Sequence, residues 1–288
     1  VEVTKETWYP GGAANVARNI SPFTPHVHLM GRVGEDAQAR LLRSLLEEDG
    51  VDPNPLLIST AVPTISKARV AARQQQIVRV DRETHLELTA AELEEVRTRL
   101  RTIAPHLDAV IIEDYGKGFV TQALADVVAE VAKEFKLVVT VDPSPRNPIA
   151  WHGMTWVKPN RSEAFAAAGI EDHALADSPA LNEEILRVGE ILQEKWDADC
   201  ILITLGEQGM MLFQRGESPH HIPTRAREVF DVSGAGDTAI ALLTLSLAAG
   251  LGPVAAADLA NHASGIVVGK LGTAQVTPSE LLTAFAED

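Results

Sequence analysis

Short runs of apolar, often β-branched residues alternate with longer segments of helical period through most of the chain. Residues 109–112, 137–141, 155–157 and 200–204 are continuously apolar rather than alternating, the pattern of strands buried on both faces. Between them, 89–103, 121–135 and 182–196 carry apolar residues at helical spacing. The first of these opens with Thr89-Ala90-Ala91-Glu92, a capping-box sequence. Strands separated by helices predict βαβ units and a mainly parallel sheet with helices on both faces. One region breaks the rhythm: 56–59, 64–73 and 75–82 are extended, partly alternating, and not separated by a long helix. They predict a small antiparallel sheet projecting from the main body, a candidate lid spanning about 55–83. The alanine- and leucine-rich C-terminal third predicts helices over 235–249 and 253–268. No internal repeat, low-complexity tract or linker divides the chain, so 1–288 reads as one α/β domain.

Composition narrows the function more than the fold. A length of 288 residues, 45% of them hydrophobic, suits a single large globular domain. The formal net charge of −15 opposes nucleic-acid binding and requires that any anionic substrate meet a local basic cluster. The single cysteine, Cys200, lies in the apolar run Cys200-Ile201-Leu202-Ile203. It reads as a buried small hydrophobe, and it excludes a disulfide or cysteine zinc site within one chain. No run reaches transmembrane length, and Val1-Glu2-Val3-Thr4-Lys5 lacks a leader's apolar stretch, so the expectation is a cytoplasmic protein with no membrane partner.

The chemistry concentrates in Asp231-Val232-Ser233-Gly234-Ala235-Gly236-Asp237-Thr238, directly before the apolar helical segment. Small residues let the backbone approach a ligand, and the free N–H groups of a first helical turn attract anionic oxygens. A carboxylate there can take a proton from a bound hydroxyl while Gly234, Ala235 and Gly236 stabilise charge on a transferring phosphoryl group. The bland reading of Asp237 is an early-helix carboxylate favoured by the dipole. No Gly-Lys-Ser/Thr follows, so this is not a Walker A loop, and a dinucleotide-binding Gly-x-Gly-x-x-Gly is absent.

This string resembles the C-terminal signature of the ribokinase/PfkB family of carbohydrate kinases. Gly11-Gly12-Ala13-Ala14-Asn15-Val16-Ala17 is similar to the family's N-terminal sugar-site motif, although Gly11-Gly12 alone would serve as an ordinary turn before a helix. Lys158-Pro159-Asn160-Arg161-Ser162-Glu163 resembles the Asn-x-x-Glu motif, and Thr204-Leu205-Gly206 a nucleotide-contacting loop. The resemblance implies a ribokinase-like three-layer sandwich with a small β-sheet lid, and ATP and Mg2+ as phosphoryl donor and cofactor. It implies Asp237 as base, Gly11, Gly12, Asn15 and Asp114 as sugar contacts, and Asn160, Glu163, Thr204, Gly206 and Asn261 around ATP. Glu163 is the implied metal residue, and oxygen ligands suit that hard cation. A homodimer joined through the lids is also implied.

Within the family the closest resemblance is to the heptose 7-phosphate kinases, carried by 11–19, 75–83, 114–118 and 267–274. That implies phosphoryl transfer to the C1 hydroxyl, giving heptose 1,7-bisphosphate. Lys67, Arg69 and Arg79 on the lid segments and Lys117 in a glycine-flanked turn could meet the substrate's phosphate. Equally, they could be solvated edge-strand charges that discourage aggregation. The chain departs from that subgroup in Asp142-Pro143-Ser144-Pro145, which lacks a lysine after Asp-Pro, and in Lys158 and His262, which replace small residues. The family's earlier strand with an acidic sugar contact would precede Gly11-Gly12 and is absent from this numbering. A nucleotidyltransferase domain is likewise absent, so no adenylyl transfer is expected. A fructokinase- or ribokinase-like enzyme and a sugar-binding relative without catalysis remain the alternatives. A sugar panel separates the first from a heptose kinase, and retention of Asp237 argues against the second.

Overall fold

The computed structural model describes residues 3–72, 75–173, 179, 182–226 and 229–286. Its centre is a six-stranded sheet in the order β12-β11-β10-β9-β8-β7. Strands β7 (Ala109–Glu113), β8 (Val138–Asp142), β9 (Trp156–Val157) and β10 (Cys200–Thr204) run parallel. Strands β11 (Met210–Gln214) and β12 (His220–Ile222) complete it as antiparallel additions. The apolar runs thus fold as the sequence predicts, and the β11–β12 hairpin is an element the sequence reading passed over.

Strand alternation divides the core into layers. Ile201 and Ile203 of β10 join one cluster with Val139, Val141 and Phe165, whereas Cys200 and Leu202 join another with Ala239, Leu243 and Ala257. The first face is covered by α3 (Ala90–Ile103), α4 (Gln122–Phe135), α5 (Arg161–Ala168) and α6 (Glu183–Trp196). The second is covered by α7 (Ala235–Ala248) and α8 (Pro253–Val268), against which α1 (Ala13–Ile20) and α9 (Pro278–Ala286) pack. Side-chain caps start the first group where the sequence places them. Thr89 and Glu92 form the capping box of α3, Thr121 caps α4, and Asn182 caps α6.

The N-terminal region builds a smaller core from α1, β1 (Val27–His28), α2 (Ala37–Glu48) and β3 (Val51–Asp52). Strands β5 (Ser66–Ala72) and β6 (Gln75–Arg82) form a projecting antiparallel hairpin, with a register shift between Val70 and Ala71. Segment 56–59 does not join it. Instead β4 (Leu57–Ser59) pairs parallel with β2 (Arg32–Gly34), because Leu57 is buried with the main core while the hairpin stands clear of it. The projecting sheet is therefore narrower than the expected 55–83, and the end of the 64–73 segment lies outside the described residues.

The hairpin has two unlike faces. Its register places Lys67 opposite Asp81 and Arg69 opposite Arg79, while Ala68 faces Val80 and Val70 faces Val78. One face is charged and the other apolar and exposed, with Val80 at 56%.

Candidate active site

Three adjacent parallel strands end side by side in a polar cluster. Glu113 closes β7 in register with Asp142, which closes β8. Lys158 follows β9, its N–H donating to Val141 O and its Nζ lying 2.8 Å from Asp142 Oδ2. Only 2% of the Lys158 side chain is exposed, so this is a buried ion pair. The carboxyl ends of parallel strands are where open α/β sheets bind ligands. Here the N-terminus of α7 arrives at the same place.

Gly234 caps α7 at φ 83°, and a Cβ there would come within 3.3 Å of Asn15 Nδ2, so both backbone and space call for glycine. Gly236 and Asp237 lie in the first turn, where N–H groups have no partner within the helix. A Cβ on Gly236 would stand 3.8 Å from Lys158 Nζ, so the buried ammonium borders the loop. Asp237 accepts 2.6 Å from Asn15 Nδ2 and 3.2 Å from the Tyr115 hydroxyl. One turn on from Asn15, Asn19 Oδ1 accepts from Thr238 Oγ1, so two asparagines of α1 clasp the start of α7. Gly12 caps α1 at φ 57°, and a Cβ there would meet the Tyr115 ring at 3.2 Å. Asn15 Oδ1 is buried without a hydrogen-bond partner among the described residues, an acceptor suited to a sugar hydroxyl. Asp231 tethers the loop, accepting from Ser233 N and Gly272 N.

Burial raises the Asp237 pKa above the ordinary carboxyl value, and the charge of Asp142 adds to this, while donation from Asn15 is the largest opposing effect. Burial also raises Asp142 against the pull of Lys158. For Lys158, burial alone would lower the pKa, but Asp142 and Glu113 outweigh it, and the lysine stays charged. Glu113 is pushed well above the carboxyl range by burial and then by Asp142 and Asp237.

The residues expected around ATP occupy the neighbouring strand ends. Asn160 caps α5 in a capping box with Glu163, whose Oε2 accepts from Asn160 N at 2.8 Å. Asn160 bridges Thr204 at the end of β10, and Gly206 follows in a turn at φ 60°. Burial raises the Glu163 pKa, with Asp142 adding to it. No cluster of three ligating side chains exists among the described residues. The Glu163 carboxylate is a hard oxygen donor of the kind that suits a magnesium ion bound alongside phosphate oxygens and water. Asn261, buried on α8, spends its amide on Pro223 O, so it braces the exit of β12. His262 is buried and stacked on Phe285.

The expected basic cluster is largely neutralised. Lys67 pairs with Asp81 and Glu83, Arg79 forks onto Asp81, and Lys117 lies 2.6 Å from Glu83. Arg69 has no ion pair or hydrogen bond within the described residues, and Asp231 of the Gly-rich loop feels its charge. It also faces Arg79 directly across the hairpin, an unfavourable like-charge pair. Asp114 accepts from Gly116 N within its own loop and from Asn147 Nδ2, and it lines the same cleft as Asp237. An open cleft of about 1940 Å³ brings Gly11, Gly12, Asn15, Lys67, Arg69 and Lys117 together with Asp237. Arg79, Asn160, Glu163, Thr204, Gly206 and Asn261 do not line it. Sequence reasoning missed Glu113, Tyr115 and Asp142. The available signal for Glu113 and Asp142 was a carboxylate ending a buried parallel strand; Tyr115, in the loop after β7, had none.

Comparison with known proteins bears on the family and the fold. Residues 1–280 match the profile of the pfkB family carbohydrate kinases. The bifunctional protein HldE of Geobacter metallireducens is 42% identical over 282 residues, which are 98% of this chain and 56% of that protein. The chain thus spans about half the length of the curated relatives it matches. Phosphofructokinase-2 from Escherichia coli superposes with a TM-score of 0.74 at 19% identity, covering 96% of this chain and 87% of the other. Ribokinase from Thermotoga maritima superposes at 0.71 and 18%, covering 99% and 90%. The architecture is accordingly the ribokinase-like α/β sandwich, and the chain belongs to the pfkB family of carbohydrate kinases.

Proposed function

We propose that this chain is an ATP-dependent kinase that transfers the γ-phosphoryl group to the C1 hydroxyl of heptose 7-phosphate. The observation that carries the reading is the half-buried Asp237 carboxylate at the glycine-rich start of α7, near the Lys158 ammonium. A sugar hydroxyl against Asp237 gives its proton to the carboxylate as its oxygen attacks the γ-phosphorus, and ADP departs. The N–H groups of Gly236 and Asp237, with the dipole of α7, meet the charge that grows on the transferring group. Lys158 adds a fixed positive charge in a site of low dielectric. Asn15 orients Asp237 and offers Oδ1 to the sugar. Asn160 and Glu163 would hold the magnesium–ATP oxygens, the ion supplying charge neutralisation between the phosphates.

Arg69 supports a phosphorylated substrate. Two arginines opposed across a hairpin are relieved by an anion between or beside them, and Asp81 already serves Arg79. The 7-phosphate is the anion that the heptose-kinase-like strings of the sequence and the HldE relatives favour. The exposed apolar face of the hairpin, including Val70, Val78 and Val80, supports a homodimer joined through these hairpins. The deciding assay measures ADP release with heptose 7-phosphate, fructose 6-phosphate, ribose and fructose in wild type and in Arg69→Ala and Lys117→Ala. The expected result is a preference for heptose 7-phosphate and a KM that rises about ten- to a hundredfold in Arg69→Ala, with ATP affinity little changed. Lys117→Ala should do less, because Glu83 already holds that ammonium. Preference for an unphosphorylated sugar would overturn the substrate and leave the kinase.

A further inference from the structure

Two lysines on the wall of the cleft share one carboxylate. Lys117 Nζ lies 2.6 Å from Glu83 Oε1, and Lys67 Nζ lies 3.2 Å from Glu83 Oε2. A single side chain thus bridges an ammonium of the hairpin and an ammonium of the loop after β7. Both lysines line the cleft that contains Asp237. Donation from Lys117 and then from Lys67 holds the Glu83 pKa below the ordinary carboxyl value, so the bridge is an anion at neutral pH.

The backbone around this bridge is braced. Gly116 and Gly118 flank Lys117 at φ 63° and 88°, and a Cβ on Gly118 would run into the Leu86 carbonyl. Leu88 N–H donates to Gly118 O at 3.2 Å. Arg32, whose side chain is only 4% exposed, donates to Leu86 O and Glu87 O. The chain leaving the hairpin is therefore fixed against the turn that carries Lys117. The side chains of Glu83, Lys67 and Lys117 are partly exposed, and ion pairs of that kind are weak. Asp81 also accepts from Lys67, so Lys67 keeps its orientation when Glu83 leaves.

The charge count favours an anion here. Lys67, Arg69, Arg79 and Asp81 share one face of the hairpin, and Glu83, two residues beyond Asp81, continues it. With Lys117, four cations meet two carboxylates, a surplus of two positive charges on a chain of net charge −15. A phosphate monoester carries about two negative charges, and its oxygens accept from ammonium groups as carboxylate oxygens do.

We propose that Glu83 is a specificity-determining residue: its carboxylate occupies the place between Lys67 and Lys117 where the substrate's phosphate binds, and the phosphate displaces it toward solvent. The proposal rests on the reading of the substrate as a sugar phosphate. A dianion exchanges with the carboxylate because both lysines gain charge-assisted bonds in return. A neutral sugar has nothing to exchange, so Glu83 stays in place and the lysines contribute nothing to its binding.

The test measures KM for the best sugar phosphate, and the inhibition constant of inorganic phosphate competing with that sugar. Wild type, Glu83→Gln, Lys117→Ala and the double variant are compared. Glu83→Gln keeps the shape and removes the competing charge, so both constants should fall about three- to tenfold, with KM for ATP unchanged. Glu83→Ala should gain at least as much, because the glutamine amide still accepts from one lysine. A residue that merely props up the hairpin would lose affinity on substitution rather than gain it. In wild type, Lys117→Ala removes a phosphate partner and also one of the two groups that hold Glu83 in the way, and the effects partly cancel. In the Glu83→Gln background only the phosphate contact is lost, and the same substitution should raise KM about tenfold or more. Constants that stay level or rise in both Glu83 variants overturn the proposal. So does a Lys117→Ala effect of equal size in the two backgrounds. Either result leaves the wild-type preference for a sugar phosphate intact, whereas a wild type that prefers an unphosphorylated sugar removes the substrate reading and the proposal with it.

Discussion

Replacing Asp237 with asparagine changes two atoms' chemistry and almost nothing of the shape. In the native site Oδ2 accepts from Asn15 and Oδ1 from Tyr115, so the new NH2 group must face one of two donors. A flip of Asn15 resolves this, turning its unpartnered Oδ1 toward the introduced amide. The fold should persist and ATP should bind, but no group remains to take the hydroxyl proton. General-base catalysis is worth about 10²–10⁴ in rate, or roughly 3–5 kcal/mol of barrier, and turnover should fall by that factor. Stability should move the other way. The Asp237 pKa is raised in the folded state, so the native protein binds this proton more tightly than the unfolded chain. The associated stability is greatest in acid and is lost as pH rises from the unfolded pKa through the folded one. At neutral pH the wild type therefore carries the cost of a buried charge that the variant lacks. Asp237→Asn should melt at or above the wild-type temperature at pH 7, and that advantage should disappear in acid. ADP release, titration calorimetry with ATP and melting curves at two pH values measure all three effects. Turnover within about tenfold of wild type would remove Asp237 from the base role. A large drop in melting temperature at neutral pH would refute the geometry by which the amide is accommodated.

Gly236→Val should yield a folded protein with a collapsed rate, because the branched side chain grows toward Lys158 Nζ and into the approach to the first-turn N–H groups. Circular dichroism separates this from unfolding, and a folded variant with near-wild-type turnover would count against the anion site. Light scattering at micromolar concentration should give the mass of a dimer, and Val80→Lys on the exposed face of the hairpin should shift it toward monomer. A wild-type monomer would leave that apolar face unexplained.

Much of the fold is legible locally. Thr89 with Glu92, Thr121, Asn160 and Asn182 announce helix starts because a cap needs only a hydroxyl, amide or carboxylate within three residues of an N–H. The parallel strands are legible because burial on both faces permits only apolar side chains over several residues. The string around Asp237 is legible because a glycine-rich helix start has few other uses. Segment 56–59 was misplaced because an extended segment's partner is a global matter. Leu57–Ser59 pairs with Arg32–Gly34 across an intervening helix, and its own pattern reads equally well beside the hairpin.

The sequence by itself determined the layered α/β architecture, the glycine-rich start of α7 and the carboxylate in it, since each depends on neighbours along the chain. Only the tertiary structure decided the company that carboxylate keeps. Asn15 lies 222 positions from Asp237 and Tyr115 lies 122, and folding alone sets their hydrogen bonds. The same holds for Glu113, Asp142 and Lys158, which end or directly follow their own strands and meet because the strands lie in register. It holds for the hairpin cations too, where the register assigns Lys67 and Arg79 to nearby carboxylates and leaves Arg69 unpaired among the described residues. Local pattern reports burial and backbone conformation over a few residues. Charge pairing and proton affinity depend on distances of a few ångströms between residues far apart in the chain, and only closure of the fold brings those distances into being.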